Sequence, residues 1–318
     1  MTKENAIIIP CYNVREHIVD LIARIPSNVA DCIYVVDDCC PQQSGKLVQT
    51  SCTDARVKVI FNERNLGVGG AVKRGFIEAC KDGFRILIKM DGDGQMNPLD
   101  IPKLIKPLKE GFADYTKSNR FFSPRALKGM PTVRLIGNGA LSFLTKLSSG
   151  YWHVMDPTNG FLAIHSNVFA MLELERIDDR FFFESDLLCR LHLIDAVVED
   201  VPIPAHYGHE ESNLQVRNAL FSFARKHLSR TVRRIIYDYF VRDFNVGSVQ
   251  LVFGLILFVF GLVFGISHWI NGLINHMPTE VGTIMLAILP TILGFQLLLS
   301  AINYDIAYRT KTPLHKLI

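Results

Sequence analysis

The stretch Met90-Asp91-Gly92-Asp93-Gly94-Gln95 places two aspartates two residues apart, directly after the apolar run Phe84–Lys89. A run this short and this apolar is typical of a buried strand. Carboxylates just past a strand can bind one divalent cation. Hard oxygen ligands suit Mg²⁺ or Mn²⁺, which leave most coordination positions to water and phosphate oxygens. Asp91 and Asp93 therefore predict a metal-bridged diphosphate, with a plain polar turn as the alternative, because Asp and Gly are common turn formers.

Upstream of this stretch, short apolar runs alternate with segments of helical periodicity. Such alternation predicts right-handed crossovers and a mainly parallel sheet, a Rossmann-like α/β fold in which ligands bind at the carboxyl ends of the strands. The predicted strands are Ala6–Ile9, Ile33–Val36, Val57–Phe61 and Arg85–Lys89, and the predicted helices are Glu16–Ile25, Gly45–Thr53 and Gly69–Lys81.

Polar residues follow each of these strands, and in a parallel sheet those strand ends converge on one edge. After the second strand, Asp37 or Asp38 can accept hydrogen bonds from a base imide or a ribose hydroxyl. After the third, Gly67 and Gly69 allow the backbone to lie close to a nucleotide at a helix start. These residues predict a nucleotide site, although a tight loop would also explain the glycines.

The last quarter of the chain has a different composition. From Phe244 to Pro278 there is no Asp, Glu, Lys or Arg, and Val246–Ile266 is almost wholly apolar. A second apolar segment, Val281–Tyr304, contains Pro290, which membrane helices tolerate. Each segment has about the 20 residues needed to cross a bilayer, so two transmembrane helices are predicted. Two buried helices of a soluble protein are the alternative.

Lys and Arg residues flank the two predicted spans, and the loop between the spans, His268–Glu280, contains no Lys or Arg. By the positive-inside rule both termini and the catalytic domain are expected in the cytosol. The membrane is expected to be the inner membrane of a bacterium. The segment before the first span has helical apolar spacing, which predicts an amphipathic helix with its cationic face toward anionic lipid; a solvated charged face is the alternative. The basic residues are Arg225, Lys226, Arg230, Arg233, Arg234, Arg242, Arg309, Lys311 and Lys316.

Composition and segment boundaries complete the expected organisation. The formal net charge of the 318 residues is only +3, which does not favour a nucleic-acid partner. The amino terminus enters a strand directly, so no cleavable signal peptide is expected. We expect a catalytic domain at 1–213, amphipathic juxtamembrane helices at 214–245, a two-helix transmembrane hairpin at 246–305 and a basic cytosolic tail at 306–318.

The order and spacing of these motifs resemble family 2 glycosyltransferases of the glycosyltransferase-A fold. Within that family the chain is similar to the polyisoprenyl-phosphate glycosyltransferases related to dolichyl-phosphate mannose synthase. The resemblance covers essentially the whole chain, and each motif alone would be weak. Its matching motifs imply a donor nucleotide site at Pro10, Tyr12, Asn13, Asp37, Asp38, Asn65, Gly67, Gly69, Asp91 and Gln95, with Asp91 and Asp93 as metal ligands.

The resemblance implies inverting transfer of one sugar from a UDP- or GDP-linked donor to an undecaprenyl or dolichyl phosphate. A phosphate monoester has its second pKa near 6 and is largely a dianion at neutral pH, so the acceptor needs cationic residues more than a base. By position in the family pattern, Arg120 and Arg134 are the expected acceptor-phosphate residues, and Arg217 is a further candidate at the membrane end.

Three carboxylates are expected to have catalytic roles, again by resemblance. Asp93 is assigned with the metal. Asp156, in the motif Asp156-Pro157-Thr158-Asn159-Gly160-Phe161, is expected to act as a base or to orient the acceptor. Asp186 lies in the motif Glu184-Ser185-Asp186, and the Asp of such a motif serves as base in relatives with hydroxyl acceptors. For a phosphate acceptor Asp186 can instead be structural.

Two other readings compete with single-sugar transfer. Processive polysaccharide synthases carry Gln-x-x-Arg-Trp, and no such string occurs in this sequence. A catalytically silent membrane anchor or scaffold that keeps the fold would not need the motif carboxylates, which are all present. The sugar, the base, the prenyl length and a homo-oligomeric state stay open at this point.

Overall fold

The computed structural model describes residues 3–122, 132–204, 216–308 and 310–318. The chain forms two compact units. The first contains Met1–Arg230 together with Thr310–Ile318, and the second contains Thr231–Arg309. The division therefore falls within one helix of the predicted juxtamembrane segment, and the carboxyl-terminal tail belongs to the first unit.

A seven-stranded sheet forms the centre of the first unit, in the order β3-β2-β1-β4-β6-β5-β7. The β1–β2, β2–β3, β1–β4 and β5–β7 pairs are parallel, whereas β6 is antiparallel to both β4 and β5. The mainly parallel sheet predicted from the sequence is thus confirmed. The strands are β1 (Asn5–Cys11), β2 (Cys32–Asp37), β3 (Val57–Phe61), β4 (Ile86–Lys89), β5 (Tyr115–Asn119), β6 (Leu162–His165) and β7 (Val198–Pro202).

Ten α-helices are found in the described part of the chain, with short 3₁₀ turns at Pro98–Asp100, Leu174–Arg176 and Leu314–Lys316 and a π-helical turn at Tyr237–Arg242. The three helices predicted from the sequence are present, with ends that differ by at most two residues. The helices are α1 (Ile18–Ala23), α2 (Ser44–Ser51), α3 (Val68–Lys81), α4 (Ile101–Lys109), α5 (Thr132–Ser149), α6 (Ser166–Ala170), α7 (Phe183–Leu193), α8 (Val216–Ile236), α9 (Val246–Asn275) and α10 (Val281–Ala307).

Hydrophobic layers cover both faces of the sheet, because side chains alternate along each strand. On β1, Ile8 belongs to one apolar cluster and Ile9 to the other. Helices α3, α6 and α7 contribute to the cluster of Ile8, and α1, α2 and α4 to that of Ile9. Burial on both faces explains why the strands are continuously apolar, and it leaves the strand ends as the place for polar side chains.

The second unit contains the two apolar helices. Among the described residues, α9 and α10 are long and apolar enough to cross a membrane, and only 11% of the apolar window of each is buried. They pack closely at glycines: a Cβ at Gly254 would lie 3.1 Å from Leu298, and one at Gly294 would overlap the backbone of Phe258. Pro290 lies inside a continuous α10. Low burial argues against two core helices of a soluble protein.

Basic residues of α8 are arranged differently from the expected lipid-facing cationic row. In the first unit, Lys226 donates to Asp178 at 2.5 Å, and Arg230 binds both carboxylate oxygens of Asp186 at 2.6 and 2.9 Å. In the second unit, Arg234 pairs with Asp305 at 2.7 Å. The expectation of one cationic lipid-facing face is therefore wrong for these three residues, because they pair with the buried carboxylate of Asp186 and the partly buried carboxylates of Asp178 and Asp305. Apolar side chains are exposed instead, at Phe221, Leu228, Val232 and Ile236.

The carboxyl-terminal tail binds the first unit through a buried aspartate. The backbone N–H groups of Leu314 and His315 donate to the Asp114 carboxylate at 2.7 and 2.8 Å, and the imidazole of His315 lies 2.7 Å from the same group. His315 also stacks on His165, with ring centroids 4.0 Å apart. Asp114 thus fixes the chain just beyond the second apolar helix.

Two buried histidines should make the first unit sensitive to acid. Burial lowers the pKa of His165 and of His227 to about 4. An unfolded histidine titrates near 6.5, so unfolding takes up protons below that pH and stability falls between pH 6.5 and 4. We expect up to about 1.4 kcal/mol per histidine and pH unit, measured as thermal unfolding of the detergent-solubilised chain at pH 7 and pH 5.

Substitutions should show whether His165 and His227 cause the loss of stability at low pH. His165→Gln and His227→Asn should each reduce the loss of melting temperature between pH 7 and pH 5. His276→Asn, at an exposed position, should leave that loss unchanged. An equal loss in the wild type and in both buried variants would contradict the assignment.

Candidate active site

An open cleft lies at the carboxyl ends of β4 and β5. Four of the predicted site residues line it: Asp91, Asp93, Gln95 and Arg120. The cleft therefore combines carboxylates with a guanidinium. Its lining residues are Asp91, Asp93, Gln95, Met96, Asn97, Ser118, Arg120, Thr158, Asn159, Gly160, Phe161, Ile203 and Pro204.

The antiparallel strand β6 explains how distant segments meet in this cleft. Lys89, at the carboxyl end of β4, pairs in register with Leu162, the first residue of β6. Residues 156–161 therefore arrive at the same edge of the sheet as Asp91. Gly160 lies so near this edge that a Cβ at its position would overlap the side chains of Lys89 and Asp91. Close packing, and not an unusual backbone angle, requires glycine here.

Asp91 and Asp93 have the character expected of ligands for a small divalent cation. The Asp91 side chain is 29% exposed and reaches the cleft. Its Oδ1 accepts from Lys89 at 2.7 Å, whereas no hydrogen bond from a described residue reaches Oδ2. Asp93 Oδ1 accepts from the N–H of Gln95 at 3.0 Å. In the described part of the chain no group of three or more His, Cys, Asp or Glu forms a metal site. A pair of carboxylates fits Mg²⁺ or Mn²⁺, which take few protein ligands.

Arg120 is held by a buried carboxylate. Its Nε and Nη2 donate to the two oxygens of Asp156, each at 2.6 Å. Asp156 is 1% exposed, whereas 18% of the Arg120 side chain is exposed. Burial by itself raises the pKa of Asp156, but the hydrogen bond and charge of Arg120, with the charge of Lys117, hold it below its usual value. The carboxylate is thus ionised and bidentate, and it orients the guanidinium in the cleft.

Lys117 supports the backbone of this pair. It is fully buried in β5, and its Nζ donates to the carbonyl oxygens of Met155, at 3.1 Å, and of Asp156. Asp156 has a φ of 54°, in the left-handed region that non-glycine residues rarely adopt. Burial lowers the pKa of Lys117 in spite of Asp200 and Asp156 nearby. Hydrogen bonds from the lysine therefore hold the strained residue that positions Arg120.

The predicted nucleotide-binding residues form a second group at the ends of β1 and β2. Asp38 is buried, and its carboxylate accepts from the N–H groups of Leu66 and Gly67, both at 2.8 Å, and from the amide of Asn62 at 2.8 Å. This carboxylate shapes the glycine loop that opens α3. Pro10 is half-buried, whereas Tyr12, Asn13 and Asn65 are exposed beside the two loops.

Asp37 is likewise occupied by the protein itself. Its oxygens accept from the N–H of Cys40 at 2.8 Å and from that of Gly45 at 2.7 Å, at the start of α2. Gly69 packs against the loop before α7, where a Cβ would overlap the carbonyl of Asp178 and the ring of Phe183. The aspartates and glycines of this group thus build the loops, and a nucleotide contact would be additional to these bonds.

Among the described side chains, that of the predicted catalytic residue Asp186 does not join the cleft group. Asp186 is buried in α7 and is bound by Arg230 and by the N–H of Asp178 at 2.9 Å, away from the cleft-lining residues. This position matches the structural alternative considered for it. Arg134 lies in α5 and Arg217 in α8, but their side chains lie outside the described part of the structure.

Sequence reasoning missed two buried lysines beside the site. Lys89 is 1% exposed and contacts Asp91 and Glu184, and Lys117 holds Asp156. Burial lowers the pKa of Lys89, but its two carboxylate partners raise it above the usual value, so the amine is a cation. A lysine within an apolar strand was the available signal, since a buried lysine needs a partner.

A family model described as glycosyl transferase family 2 matches residues 6–172, just over half of the chain. The match spans the strands β1 to β6 and both groups of site residues. The chain belongs to glycosyl transferase family 2. It is therefore a glycosyltransferase, as the resemblance of its motifs implied.

Curated relatives and a solved structure extend this result. UDP-N-acetylglucosamine–dolichyl-phosphate N-acetylglucosaminyltransferase of Methanococcus voltae is 29% identical over 230 residues, which cover 68% of this chain and 91% of that protein. Dolichol-phosphate mannosyltransferase of Pyrococcus furiosus is 33% identical over 183 residues, 56% of this chain and about half (51%) of that protein. Glucosyl-3-phosphoglycerate synthase of Mycobacterium tuberculosis, solved with Mn²⁺ and UDP, has a TM-score of 0.51 at 20% identity, covering 73% of this chain and 78% of its own. This likeness shows the glycosyltransferase-A fold.

The Arg120–Asp156 pair should contribute strongly to stability. Asp156→Asn removes the charge from a buried carboxylate and leaves Arg120 without its bidentate partner, which should cost about 3 kcal/mol of unfolding free energy. Denaturant unfolding of the full chain measures this. Asp20→Asn, in the exposed Asp20–Arg24 pair, is the matched control and should change stability by less than about 0.5 kcal/mol. Equal stability of the two variants would show that the buried pair has no such role.

Proposed function

We propose that the protein transfers one sugar, with inversion, from a nucleoside diphosphate sugar to a polyprenyl phosphate at the cytosolic face of a membrane. One observation carries this proposal: a single cleft holds the carboxylates Asp91 and Asp93 together with the guanidinium of Arg120. The carboxylates suit a cation-bound diphosphate, and the guanidinium suits a second phosphate. Both reacting partners would thus enter one cleft as phosphates.

The acceptor requires no general base in this mechanism. An oxygen of the acceptor phosphate forms a bond to the anomeric carbon, while the bond from that carbon to the diphosphate oxygen breaks. The products are a glycosyl phospholipid and a nucleoside diphosphate. A phosphate monoester is already largely ionised at neutral pH. Asp156 is engaged by Arg120 through both oxygens, which supports orientation of Arg120 as its role over proton removal.

Asp91 and Asp93 would hold a divalent cation, with Mg²⁺ and Mn²⁺ as the candidates. When bound, the cation neutralises charge on the diphosphate leaving group. The other residues of the site would then act according to their charge and position. Arg120 binds the acceptor phosphate and separates it from the donor diphosphate, and the loops shaped by Asp37 and Asp38 hold the base and ribose. UDP and GDP both fit this description.

The lipid acceptor is supported by the relatives and by the apolar helices. The names of both curated relatives specify a dolichyl or dolichol phosphate acceptor. In this chain α9 and α10 could span a membrane, and exposed apolar residues such as Phe221 and Leu228 lie along α8. An apolar face next to a span suits the lipid interface. Basic residues on both sides of the hairpin favour cytosolic termini and a cytosolic catalytic unit.

A transfer assay tests the proposal. The purified full chain, with Mg²⁺ or Mn²⁺, is incubated with undecaprenyl or dolichyl phosphate and a panel of UDP- and GDP-sugars, and lipid extracts are analysed by mass spectrometry. We expect one glycosyl phospholipid and an equal amount of nucleoside diphosphate. Release of free sugar without a lipid product would overturn the acceptor. No turnover with any donor would favour the silent scaffold.

Substitution of the metal ligands should abolish this transfer. Asp91→Asn and Asp93→Asn each remove one carboxylate, and we expect a loss of about 100-fold or more, as for removal of a group that stabilises developing charge. Membrane insertion should stay close to the wild type in both variants, and so should the melting temperature of Asp93→Asn. Asp20→Asn is the surface control and should be fully active. Substantial activity in either motif variant would exclude the metal role of that aspartate.

A further inference from the structure

Lys89 lies behind the cleft wall, between two carboxylates from distant parts of the chain. Its Nζ is 2.7 Å from Asp91 Oδ1 and 3.0 Å from Glu184 Oε1. The lysine is 1% exposed and Glu184 is 8% exposed, so neither reaches the cleft, whereas Asp91 does. Going inward from the cleft, the charges are therefore Asp91, Lys89 and Glu184. The side chain of the lysine therefore contacts the cleft wall at Asp91 and does not enter the cleft itself.

Backbone geometry restricts the motion of this lysine. Lys89 and Asp91 are two residues apart at the end of β4, so their side chains leave the same face of the chain. Gly160 closes the other side, where a Cβ would overlap both Nζ of Lys89 and Oδ2 of Asp91. Glu184 is in the first turn of α7 and approaches from a third direction. The ammonium group is thus held between a strand, a loop and a helix.

We propose that Lys89 is a positioning residue that presents Asp91 to the divalent cation through one oxygen. The inference rests on the metal role of Asp91 in the proposed function. Because the ammonium group of Lys89 lies against Oδ1, it repels a cation from that oxygen, and Oδ2, beside the cleft-lining Gly160, is the oxygen left for the cation. A single oxygen suits the octahedral sphere of Mg²⁺ or Mn²⁺ and leaves positions for diphosphate oxygens and water, whereas two oxygens of one carboxylate suit the larger Ca²⁺. Glu184 keeps the ammonium group of Lys89 in place against Asp91 Oδ1.

This arrangement also sets the charge that the cation meets. Asp91 and Glu184 carry two negative charges and Lys89 one positive charge. A lysine charge beside a metal ligand weakens cation binding, since like charges repel at short range. Lys89, held in place by Glu184, would therefore keep cation binding weak in the absence of a diphosphate. The cation would then bind and leave together with the diphosphate. Removing Lys89 and removing the charge of Glu184 should change cation affinity in opposite directions.

Mn²⁺ binding to the full-length protein, followed by electron paramagnetic resonance with and without UDP, tests this inference. Lys89→Met should bind Mn²⁺ roughly tenfold or more tightly, because two carboxylates lose their counter-charge, and Ca²⁺ should compete better. Glu184→Gln should bind Mn²⁺ several-fold more weakly, because Lys89 then pairs with Asp91 alone. In transfer assays Lys89→Met should lower kcat more than it changes KM for the nucleotide sugar. General destabilisation would not tighten Mn²⁺ binding.

Lys73→Met is the matched control, because Lys73 is a largely enclosed lysine paired with Asp179 at 2.6 Å. It loses the same charge and should bind Mn²⁺ like the wild type. Unchanged or weaker Mn²⁺ binding by folded Lys89→Met would overturn the positioning role. If Lys89→Met does not fold, unchanged or tighter binding by Glu184→Gln would overturn it. Equal Mn²⁺ affinity of the wild type and Asp91→Asn would instead refute the metal role of Asp91, and the inference with it.

Discussion

The antiparallel pairing of β6 with β4 is the constraint on which the site depends. In a wholly parallel sheet the segment before a strand lies at the edge opposite to the ligand site. Because β6 runs the other way, Leu162 pairs with Lys89, and the segment 156–161 enters the cleft beside Asp91. This reversal brings Asp156, which holds Arg120, close to Asp91 and Asp93. One strand direction thus creates a cleft with two charge types.

Buried ion pairs around the cleft share a common design. In each, a carboxylate or ammonium group is enclosed, and its partner is the group nearer to the cleft: Asp156 holds Arg120, and Lys89 holds Asp91. Enclosed charges lose hydration and need fixed partners, so they allow few alternative geometries. In the proposed function this rigidity would benefit a site that binds two phosphates, since its own charged groups cannot rearrange to neutralise one another.

Much of the amino-terminal part of the first unit, from β1 to β4, was predictable from the sequence. Four apolar runs and three helical patterns located β1 to β4 and α1 to α3, because a strand buried on both faces is continuously apolar. Asp91 and Asp93 were recognisable from their place after β4. Beyond β4 the sequence was less informative: β5, Tyr115–Asn119, carries Thr, Lys, Ser and Asn that are buried through partners elsewhere in the fold, so its pattern did not identify it as a strand.

The sequence by itself determined the fold class and the two apolar helices, and it predicted Asp91 and Asp93 as site residues, because strand burial, span length and carboxylate chemistry are local properties. Only the tertiary structure decided which charges meet. In the fold, Asp156 pairs with Arg120, and Lys89 lies between Asp91 and Glu184. On α8, Lys226 pairs with Asp178 and Arg230 pairs with Asp186. Such pairs join residues up to 95 positions apart, and their partners follow from strand direction and helix packing, which no local pattern records.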